Sequence, residues 1–300
     1  MFSILIDKVK YAYCLLIIFL CFKVNGQNEM HVTEQLLNGS IKIEAINGNI
    51  TSSGTGFFFT FYTDDKKNAV PVIITNKHVI NGSKSIRLFF RKVINGKPDY
   101  APPYVVSIPN DSTTVINHPN KNIDLVAIPT AQIYDALSKR NIGIYYIASS
   151  EEQIVDDATQ KKELKSIEDI WMIGYPNGLW DSKNNLPIVR KGITATTPYI
   201  DYNGKREFLI DIAAFGGSSG SPIYFYRDFY TDKDTYAAKV GVKLYLLGVL
   251  YAGPIYTVEG KVVKSNPNEP ISKVKTGIPM NLGYVIKASE ILEFKKILIP

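Results

Sequence analysis

The segment from Gly216 to Pro222 contains three serines and three glycines, and it lies between two runs of β-branched and aromatic residues. Glycine permits positive φ and lets other groups approach the backbone closely, so a serine among glycines can be exposed and surrounded by amide N–H groups. Such a serine could be the nucleophile of an acyl transfer if a histidine took its proton and a carboxylate oriented that histidine. Taken alone, the segment could equally be a Gly/Ser-rich turn between two strands.

Two serines of this segment could be the nucleophile. Ser218 stands in a Gly-x-Ser-x-Gly pattern, which in an α/β-hydrolase is followed along the chain by an acidic residue and then by a histidine. No histidine follows His118 in this sequence, so an α/β-hydrolase is excluded. Ser219 is the alternative, and it requires a histidine and an aspartate that both precede it.

A histidine and an aspartate precede Ser219 in that order. His78 follows an apolar, β-branched run at residues 70–75, and Asp124 opens a second apolar run. Asp124 follows His78 by 46 residues, and Ser219 follows Asp124 by 95 residues. His118 is the alternative base, but it lies only six residues before Asp124 on the same segment, beside a Pro-Asn turn. We predict a catalytic triad of His78, Asp124 and Ser219.

These segments resemble the motifs of the chymotrypsin/trypsin-like serine proteases, and in particular those of bacterial trypsin-like and HtrA-like protease domains. Residues 217–222 resemble the Gly-x-Ser-Gly-x-Pro signature of the family, and the strand that leads to His78 resembles its Thr-Ala-x-His segment. Residues 124–127 resemble its Asp-Ile-Ala-Leu segment. Residues 54–57 and 173–178 resemble the Gly-Ser-Gly-Phe entry strand and the Gly-Tyr/Asn-Pro turn of the same bacterial branch.

The resemblance covers roughly residues 40–298, and it implies an all-β fold. That fold has two six-stranded antiparallel β-barrels, the chymotrypsin-like double barrel, with a C-terminal α-helix. The resemblance also implies a serine endopeptidase that hydrolyses the peptide bonds of a polypeptide substrate through an acyl-enzyme intermediate, without a cofactor. The backbone N–H groups of Gly217 and Ser219 would form the oxyanion hole. A catalytically inactive scaffold that binds proteins is the alternative, because a family fold can persist after its activity is lost.

The resemblance further implies where the substrate binds. In the family, the residue six positions before the nucleophile forms the floor of the primary specificity pocket, and here that residue is Ala213. A small floor implies a small or medium apolar side chain before the scissile bond rather than Lys or Arg. Residues 247–253 would form the wall of the pocket and pair with an extended substrate as an added strand. The substrate-binding residues implied in this way are Ala213, Gly248, Val249, Leu250 and Tyr251.

Short runs of Tyr, Phe, Val, Ile and Thr, separated by turn residues, predict strands along most of the chain after residue 40. They divide into an N-terminal barrel at about residues 40–130, a partly helical connection at about 131–165, and a C-terminal barrel with a terminal helix at about 166–300. Two segments rich in Lys, Asp and Asn, residues 227–243 and 255–278, are predicted to be insertions at the rim of the substrate site.

Residues 1–26 are predicted to be a secretory signal peptide, which leaves a mature protease domain of residues 27–300. Lys8 and Lys10 precede an apolar run at residues 11–22, and small or apolar residues precede the cleavage site. The run is shorter than the roughly 20 residues that a membrane-spanning helix needs, and an uncleaved anchor is the alternative interpretation. The predicted location is periplasmic or secreted, with no stable membrane association after cleavage.

Composition argues against several other classes of protein. Both cysteines, Cys14 and Cys21, lie in the predicted signal peptide, so the mature chain would contain no disulfide. The three histidines are scattered and no His-Glu-x-x-His motif occurs, which argues against a catalytic metal. The net charge of +6 is small for 300 residues, and no Lys/Arg block interleaved with aromatic residues indicates nucleic-acid binding. The sequence leaves the oligomeric state open.

Overall fold

The computed structural model describes residues 30–63, 65–66, 68–231, 237–261 and 273–299. The predicted signal peptide, residues 1–26, lies outside these described residues. The chain divides into two compact units, Met1–Gln35 and Leu36–Pro300. In the described part of the first unit, Nδ1 of His31 lies 2.8 Å from Oγ1 of Thr33. No helix among the described residues is long and apolar enough to cross a membrane.

The first half of the larger unit forms a ten-stranded sheet. All of its strand pairs are antiparallel except the one made by its last strand, which is parallel. Its strands are β1 (Ser40–Asn47), β2 (Ile50–Tyr62), β3 (Ala69–Thr75), β4 (Ser85–Ile94), β5 (Lys97–Pro98), β6 (Tyr104–Pro109), β7 (Ile116–Asn117), β8 (Val126–Pro129), β9 (Ile144–Tyr145) and β10 (Ser149–Ser150). The path runs β5-β4-β1-β2-β3-β8-β7, while β6 and β9 pair with β4 and β10 pairs with β2.

This sheet differs from the predicted six-stranded barrel because it has ten strands and its path is not closed. Among the described residues no ladder joins β6 to β7 or β8, so one edge of β6 is open. Pro109 ends β6 without an N–H to donate, and its carbonyl accepts a hydrogen bond from Thr114 Oγ1 at 2.6 Å. A groove of about 600 Å³ lies at this opening, between β6 and the helix Ala131–Ser138.

The second half forms a closed, six-stranded antiparallel barrel. In barrel order its strands are β11 (Asp169–Gly174), β12 (Ile188–Thr194), β13 (Glu207–Asp211), β18 (Leu282–Lys287), β15 (Ala238–Ala252) and β14 (Pro222–Thr231). Two further strands, β16 (Ile255–Lys261) and β17 (Lys273–Pro279), pair with each other in a separate two-stranded sheet. The predicted fold class, an all-β protein of the chymotrypsin-like type, is confirmed.

The two predicted insertions contain regular strands that the sequence does not predict. Strands β14 and β15 extend past the barrel as a hairpin, in which Phe229 pairs with Val240. The second segment supplies most of β16 and β17, whose cross-strand contacts include a salt bridge of 2.9 Å between Glu259 and Lys275. Local composition does not predict such pairing, because strand formation depends on contacts with the neighbouring strand more than on the intrinsic β-propensity of the residues.

Strand β2 joins the two sheets through alternate aromatic side chains. Phe57, Phe59 and Phe61 pack into a core cluster that also contains Tyr224 and Leu246 of the second barrel. The intervening Phe58 points the other way and belongs to the core of the first sheet. Since successive residues of a strand face opposite sides, this run of aromatics fills two cores at once. The site described below lies on the elements that this shared core holds together.

Helices are short throughout the described residues. The α-helices are α1 (Val32–Leu37), α2 (Lys77–Ile80), α3 (Ala131–Ser138), α4 (Asp157–Glu163) and α5 (Lys295–Leu298). Three 3-10 helices span Glu151–Gln153, Pro176–Gly178 and Ala288–Phe294. The predicted terminal helix is therefore mostly of the 3-10 type, and only its last turn is α-helical. It is held to the protein by Ile291 and Phe294, which are buried in the core between the two sheets.

Candidate active site

His78 and Asp124 meet where two neighbouring strands begin and end. Strands β3 and β8 are antiparallel, with Thr75 opposite Val126, so the end of one lies beside the start of the other. His78 is in the single turn of α2 just after β3, and Asp124 lies just before β8. His78 Nδ1 lies 2.5 Å from Asp124 Oδ2, and the His78 backbone N–H donates to Asp124 Oδ1 at 3.0 Å. The carboxylate thus holds both the ring and the backbone of the histidine.

A buried asparagine anchors the segment that carries Asp124. Asn76 is fully buried, and its Nδ2 donates to the backbone carbonyl of Asp124 at 2.8 Å. The neighbouring Lys77 adds hydrogen bonds from Nζ to the carbonyl oxygens of Lys121 and Ile123, at 3.2 and 3.3 Å. The position of the carboxylate is therefore set by residues next to His78 itself. The sequence analysis did not single out Asn76, because a lone buried asparagine has no motif of its own.

The two candidate nucleophiles differ in accessibility. Ser218 is only 1% exposed, and among the described residues its Oγ has no hydrogen-bond partner. Ser219 is half-buried, and its hydroxyl donates to the backbone carbonyl of Tyr251 at 3.3 Å. Of the two hydroxyls, that of Ser219 is the one in contact with solvent-accessible space.

The glycines of this loop are required by close approach and by backbone conformation. Gly217 and Gly220 have φ values of +79° and +87°, in the left-handed region that favours glycine. A Cβ atom at Gly220 would lie 1.9 Å from the carbonyl oxygen of Thr55, which no side chain could tolerate. A Cβ atom at Gly217 would lie 2.7 Å from the carbonyl oxygen of Tyr175. The serine loop is therefore fitted tightly against β2 and the turn after β11.

Thr55 of β2 fixes the serine loop with two hydrogen bonds and the turn after β11 with a third. Its Oγ1 donates to the carbonyl of Gly217 at 2.9 Å and accepts from the N–H of Tyr175 at 3.0 Å. Its backbone N–H donates to the carbonyl of Ser219 at 2.9 Å. The sequence analysis placed Thr55 within the Gly-x-Gly-Phe resemblance but assigned it no role. Its role depends on contacts more than 100 residues away, which no local motif reports.

Three amides of the loop, those of Gly216, Gly217 and Ser219, donate to no backbone carbonyl among the described residues. The N–H groups of Ser218, Gly220 and Ser221 donate to backbone carbonyls at 2.8–3.0 Å. Within the part of the chain that the structure describes, the N–H groups of Gly217 and Ser219 make no such bond. These are the two amides that the resemblance implies for the oxyanion hole. Two amides flanking a half-buried serine could together bind the oxygen of an acyl group.

A cavity of about 230 Å³ opens beside Ser219. Its lining is mostly apolar and carries no charged side chain. The residues around it are Ala214, Phe215, Gly216, Ser219, Leu250, Ala252, Gly253, Pro254, Ile255 and Pro279. Of the predicted substrate-binding residues, Leu250 is therefore the one that lines this cavity.

The other predicted substrate-binding residues lie elsewhere. Val249 is fully buried in the core between the two sheets, and a Cβ at Gly248 would lie 2.2 Å from the carbonyl of Ile286, so neither side-chain position faces the cavity. Ala213 lies just outside the cavity, whose lining begins at the next residue. On β15 the cavity is lined by Leu250 and Ala252, and Leu250 also packs in the core of the second barrel.

Tyr251 contributes its backbone and its side chain to different contacts. Its carbonyl accepts from Ser219, while its hydroxyl donates to Oε2 of Glu207 at 2.6 Å. Burial, together with this hydrogen bond and the negative charge of Glu207, raises the pKa of the Tyr251 hydroxyl. The phenol therefore stays protonated and continues to donate to the carboxylate. This bond ties the strand beside the cavity to β13.

Arg190 of β12 supports the loop that lines the cavity. Its guanidinium donates to the backbone carbonyl of Ala213 and lies over the ring of Phe215, 5.0 Å from the ring centroid. Phe215 is 39% exposed at the mouth of the cavity. A cation over an aromatic face is attracted by the ring quadrupole, so Arg190 holds both the start of the loop and its aromatic side chain.

His118 is buried and has a structural environment. Its ring is packed edge-on against Phe294, with Nε2 3.0 Å from the carbonyl of Glu290 and Nδ1 3.1 Å from the N–H of Asn120. Nδ1 also lies 3.2 Å from the carbonyl of Asn120, so both ring nitrogens are engaged by the backbone. His118 is therefore held by the terminal 3-10 helix and by the loop before β8, and not by the serine loop. No group of three or more metal-ligating side chains is found among the described residues.

The chain belongs to the family of the trypsin-like peptidase domain, whose model matches residues 54–227. This match confirms the resemblance drawn from the sequence. It includes the segments that carry His78, Asp124 and Ser219. A search of curated proteins found no relative.

Solved structures with a similar fold have low sequence identity. The serine endoprotease from Yersinia pestis is 14% identical, with a TM-score of 0.46, and the match covers 89% of this chain and 65% of that one. The active form of the Rv3671c protease from M. tuberculosis is 17% identical, with a TM-score of 0.42, and the match covers 89% of this chain and 84% of that one. The chain thus spans just under two thirds of the length of the first of these.

Proposed function

We propose that this protein is a serine endopeptidase in which His78, Asp124 and Ser219 form the catalytic triad. The observation that carries the proposal is the 2.5 Å contact between His78 Nδ1 and Asp124 Oδ2. With Nδ1 engaged by the carboxylate, Nε2 is the ring nitrogen that can take a proton. The family to which the chain belongs is one of peptidases, so the substrate class is polypeptide.

In the proposed reaction, His78 Nε2 takes the proton of the Ser219 hydroxyl as Oγ attacks a peptide carbonyl. Asp124 keeps the imidazole in the required tautomer and stabilises the imidazolium. The oxygen of the tetrahedral intermediate accepts from the N–H groups of Gly217 and Ser219, and each such donor contributes about 2.7–4 kcal/mol in known cases. His78 then gives its proton to the leaving amine, and water hydrolyses the acyl-enzyme by the reverse steps.

The hydroxyl of Ser219 must change its hydrogen-bond partner in this reaction. It donates to the carbonyl of Tyr251 at 3.3 Å in the free protein. That bond is long for a hydroxyl donor, so giving it up costs little. The hydroxyl of Ser219 is therefore only weakly held before a substrate binds.

We propose a small or medium apolar residue before the scissile bond. The cavity beside Ser219 has a volume of about 230 Å³ and no charged lining residue. A Lys or Arg side chain of a substrate would lose its hydration there without gaining a counter-charge. A peptide-library profile dominated by charged residues at this position would contradict the assignment.

We also propose that the protein is exported after cleavage of residues 1–26. The support is the sequence pattern of basic residues followed by a short apolar run. The N-terminal sequence of the protein recovered from the producing cell is the test. A mature chain that begins at Gln27 is expected, and an intact Met1 would contradict cleavage.

The first experiment is labelling with a fluorophosphonate, which reacts covalently with activated serines, read out by intact mass. The wild-type protein is expected to gain one adduct. Ser219→Ala should abolish it, whereas the matched variant Ser218→Ala should retain it, because the Ser218 hydroxyl is buried. An adduct lost only in Ser218→Ala would overturn the choice of nucleophile. No adduct on folded wild-type protein would favour the inactive, protein-binding scaffold.

A further inference from the structure

The groove of about 600 Å³ at the open edge of β6, called the β6 groove below, is separate from the serine site. It runs between β6 and α3 and shares no lining residue with the cavity beside Ser219. Its walls are mostly apolar, with Val106 and Ile108 on β6 and Leu137 on α3. Ile108 and Leu137 are buried, so the walls of the groove are held in place by the core of the first sheet.

The backbone of β6 directs hydrogen-bonding groups toward this groove. In an antiparallel pair, every second residue directs its N–H and C=O to the partner strand, and the residues between them direct theirs away. The N–H of Asn110, just after β6, donates to the carbonyl of Lys84 at 3.1 Å. The bonded positions on this side are therefore the even-numbered ones, in the same register as the ladder with β4. Val105 and Ser107 lie between them, so their backbone groups point to the open edge.

The outward backbone groups of Val105 and Ser107 have no partner in the part of the chain that the structure describes. The carbonyl of Pro109 follows the same alternation, and it accepts from Thr114 Oγ1 at 2.6 Å. No hydrogen bond within the described ranges uses the outward N–H and C=O of Val105 or Ser107. Val105 is 43% exposed, so this edge is accessible. An unpaired strand edge is a template for the addition of a further strand.

The chain itself bounds the β6 groove at both ends. Residues 110–115 lead from β6 to β7, and Thr113 and Thr114 of this segment line one end. Residues 139–143 lead from α3 to β9, and Arg140 of this segment lines the groove as well. An internal segment of a polypeptide would have to cross both boundaries. The end of a polypeptide needs to cross only one, so it fits this groove better.

Arg140 gives the two ends of the groove different charges. Tyr104 pairs with Phe90, and three residues further along β4 the N–H of Val93 donates to the carbonyl of Gly143 at 3.0 Å. Arg140 precedes Gly143 by three residues, so it lies at the Tyr104 end of β6. Among the described residues that line the groove, Arg140 alone carries a charge. This end of the groove therefore favours a negatively charged group.

We propose that the β6 groove binds the C-terminal segment of another polypeptide, which adds antiparallel to β6 with its terminal carboxylate at Arg140. A strand antiparallel to β6 ends beside Tyr104, whereas a parallel strand would bring its N-terminus to Arg140. The backbone groups of Val105 and Ser107 supply the hydrogen bonds of strand addition. The apolar walls select apolar side chains at alternate positions of the bound segment, because every second side chain of an extended chain faces the same way.

The test measures peptide binding to the Ser219→Ala protein, in which the proposed nucleophile is removed so that the probe stays intact. The probe is a fluorescein-labelled heptapeptide in which valine alternates with threonine and which ends in valine with a free carboxylate. The second probe is the same peptide with a C-terminal amide. Fluorescence anisotropy should show that the free carboxylate binds about fivefold more tightly than the amide, as expected for one ion pair at the protein surface.

Two variants with matched controls test the backbone edge and the charge. Ser107→Pro removes the outward N–H at a position where an edge strand tolerates proline, and it should weaken binding at least tenfold, whereas Ser107→Ala keeps that N–H and should bind like its parent. Arg140→Gln should bind the carboxylate and amide peptides equally. Lys139→Gln is its control, because Lys139 pairs with Asp135 at 2.7 Å and does not line the groove.

Several outcomes would overturn the proposal. Equal binding of the two peptides before any change at Arg140, or unchanged binding by a folded Ser107→Pro protein, would each do so. Binding of an amidated peptide with an internal glutamate, lost in Arg140→Gln, would assign the groove to internal segments instead. Loss of a dimer in Ser107→Pro by sedimentation, with peptide binding unchanged, would make this edge an interface between copies.

The same variants separate this inference from the proposed function. With Ser219 intact, Arg140→Gln and Ser107→Pro should react with the fluorophosphonate at the wild-type rate, since neither residue lines the serine cavity. Peptide binding without any fluorophosphonate adduct would uphold the groove and contradict the serine site. Arg140 is exposed, so Arg140→Gln keeps the test decisive if Ser107→Pro does not fold.

Discussion

At the scale of single residues, Thr55 connects the first sheet to the serine loop. One hydroxyl donates to Gly217 and accepts from Tyr175, while the backbone N–H of the same residue donates to Ser219. The carbonyls of Gly217 and Ser219 are thereby directed toward β2. Because a peptide unit is planar, fixing these carbonyls also fixes the N–H groups of Ser218 and Gly220, the two residues on either side of Ser219.

We expect Thr55→Val to slow fluorophosphonate labelling by up to about 100-fold, since small displacements of a catalytic group can cost that much. Valine has nearly the same shape, but it leaves the buried carbonyl of Gly217 and the N–H of Tyr175 without partners. The free energy of unfolding should fall by roughly 1–3 kcal/mol. Labelling kinetics and urea unfolding measure the two effects.

Thr130→Val is the control for this substitution. Thr130 is also fully buried, and its hydroxyl donates to the carbonyl of Pro71 at 3.1 Å, away from the serine loop. A similar loss of stability with an unchanged labelling rate is expected. If Thr55→Val labels as fast as Thr130→Val, Thr55 has no part in positioning the loop.

The residues of the site could be inferred from the sequence to different degrees. His78, Asp124 and Ser219 could be predicted because each stands in a local motif and their order is restricted by known chemistry. Thr55, Asn76 and Arg190 could not be assigned roles, since each acts through contacts with residues distant in the chain. The residues of β15 that line the cavity could not be predicted, because the sequence does not state which face of a strand is turned to the core.

At the scale of elements, the terminal 3-10 helix and the segment before β8 are connected by His118. The ring contacts the carbonyl of Glu290 and the ring of Phe294, both in that helix. On the other side it accepts from Asn120, in the loop that leads to Asp124. His118 therefore stabilises the surroundings of the site without facing the serine.

The two histidines should respond to substitution in opposite ways. His118→Ala is expected to lower the free energy of unfolding by roughly 1–3 kcal/mol, because it leaves a buried carbonyl and an amide without partners, and to preserve labelling. His78→Ala should abolish labelling with little change in stability, since that side chain is 48% exposed. Urea unfolding and intact mass check the pair, and loss of labelling in well-folded His118→Ala would restore His118 as the base.

Most barrel strands could be predicted from the alternation of apolar and polar residues and from the turn residues between them. The two-stranded sheet of β16 and β17 and the hairpin of β14 and β15 could not be predicted in this way. These segments are rich in Lys, Asp and Asn, which are depleted in strands. They form strands because each has a partner strand in register, and contacts such as Lys243 Nζ over the ring of Tyr230, 4.1 Å from its centroid, add to the pairing. The open path of the first sheet was missed for the same reason, since closure depends on two strands far apart in the chain.

At the scale of the whole molecule, the two sheets share one apolar core. Phe59 of the first sheet is fully buried in the cluster that also contains Leu246 and Val249 of the second barrel. The triad proposed above takes residues from both sheets, so its geometry depends on this shared core. The two halves should therefore unfold together rather than one after the other.

We expect Phe59→Ala to lower the free energy of unfolding by about 3–5 kcal/mol and to do so for both halves in one transition. Fluorescence reports the second half through Trp171 on β11 and the contact between the halves through Trp180, whose ring lies 5.7 Å from that of Phe89 on β4, while far-UV circular dichroism reports the whole chain. Both signals should shift to the same lower urea midpoint. In the control Phe229→Ala, which removes a side chain that is 59% exposed, the midpoint should hardly change. A fluorescence midpoint that stays in place while the dichroism splits into two steps would show independent halves.

Strand β15 runs from Ala238 in the hairpin, through the barrel, to Ala252 at the cavity, and its pairing with β14 and β18 contains several shifts of register. Fifteen residues of extended backbone cover about 50 Å, so one strand contributes to the hairpin, to the barrel and to the wall of the cavity. Proteins that build these parts from separate loops can alter each of them independently. Here an inserted or deleted residue that is not taken up at one of these register shifts would displace every residue of the strand beyond it, so neighbouring parts would change together.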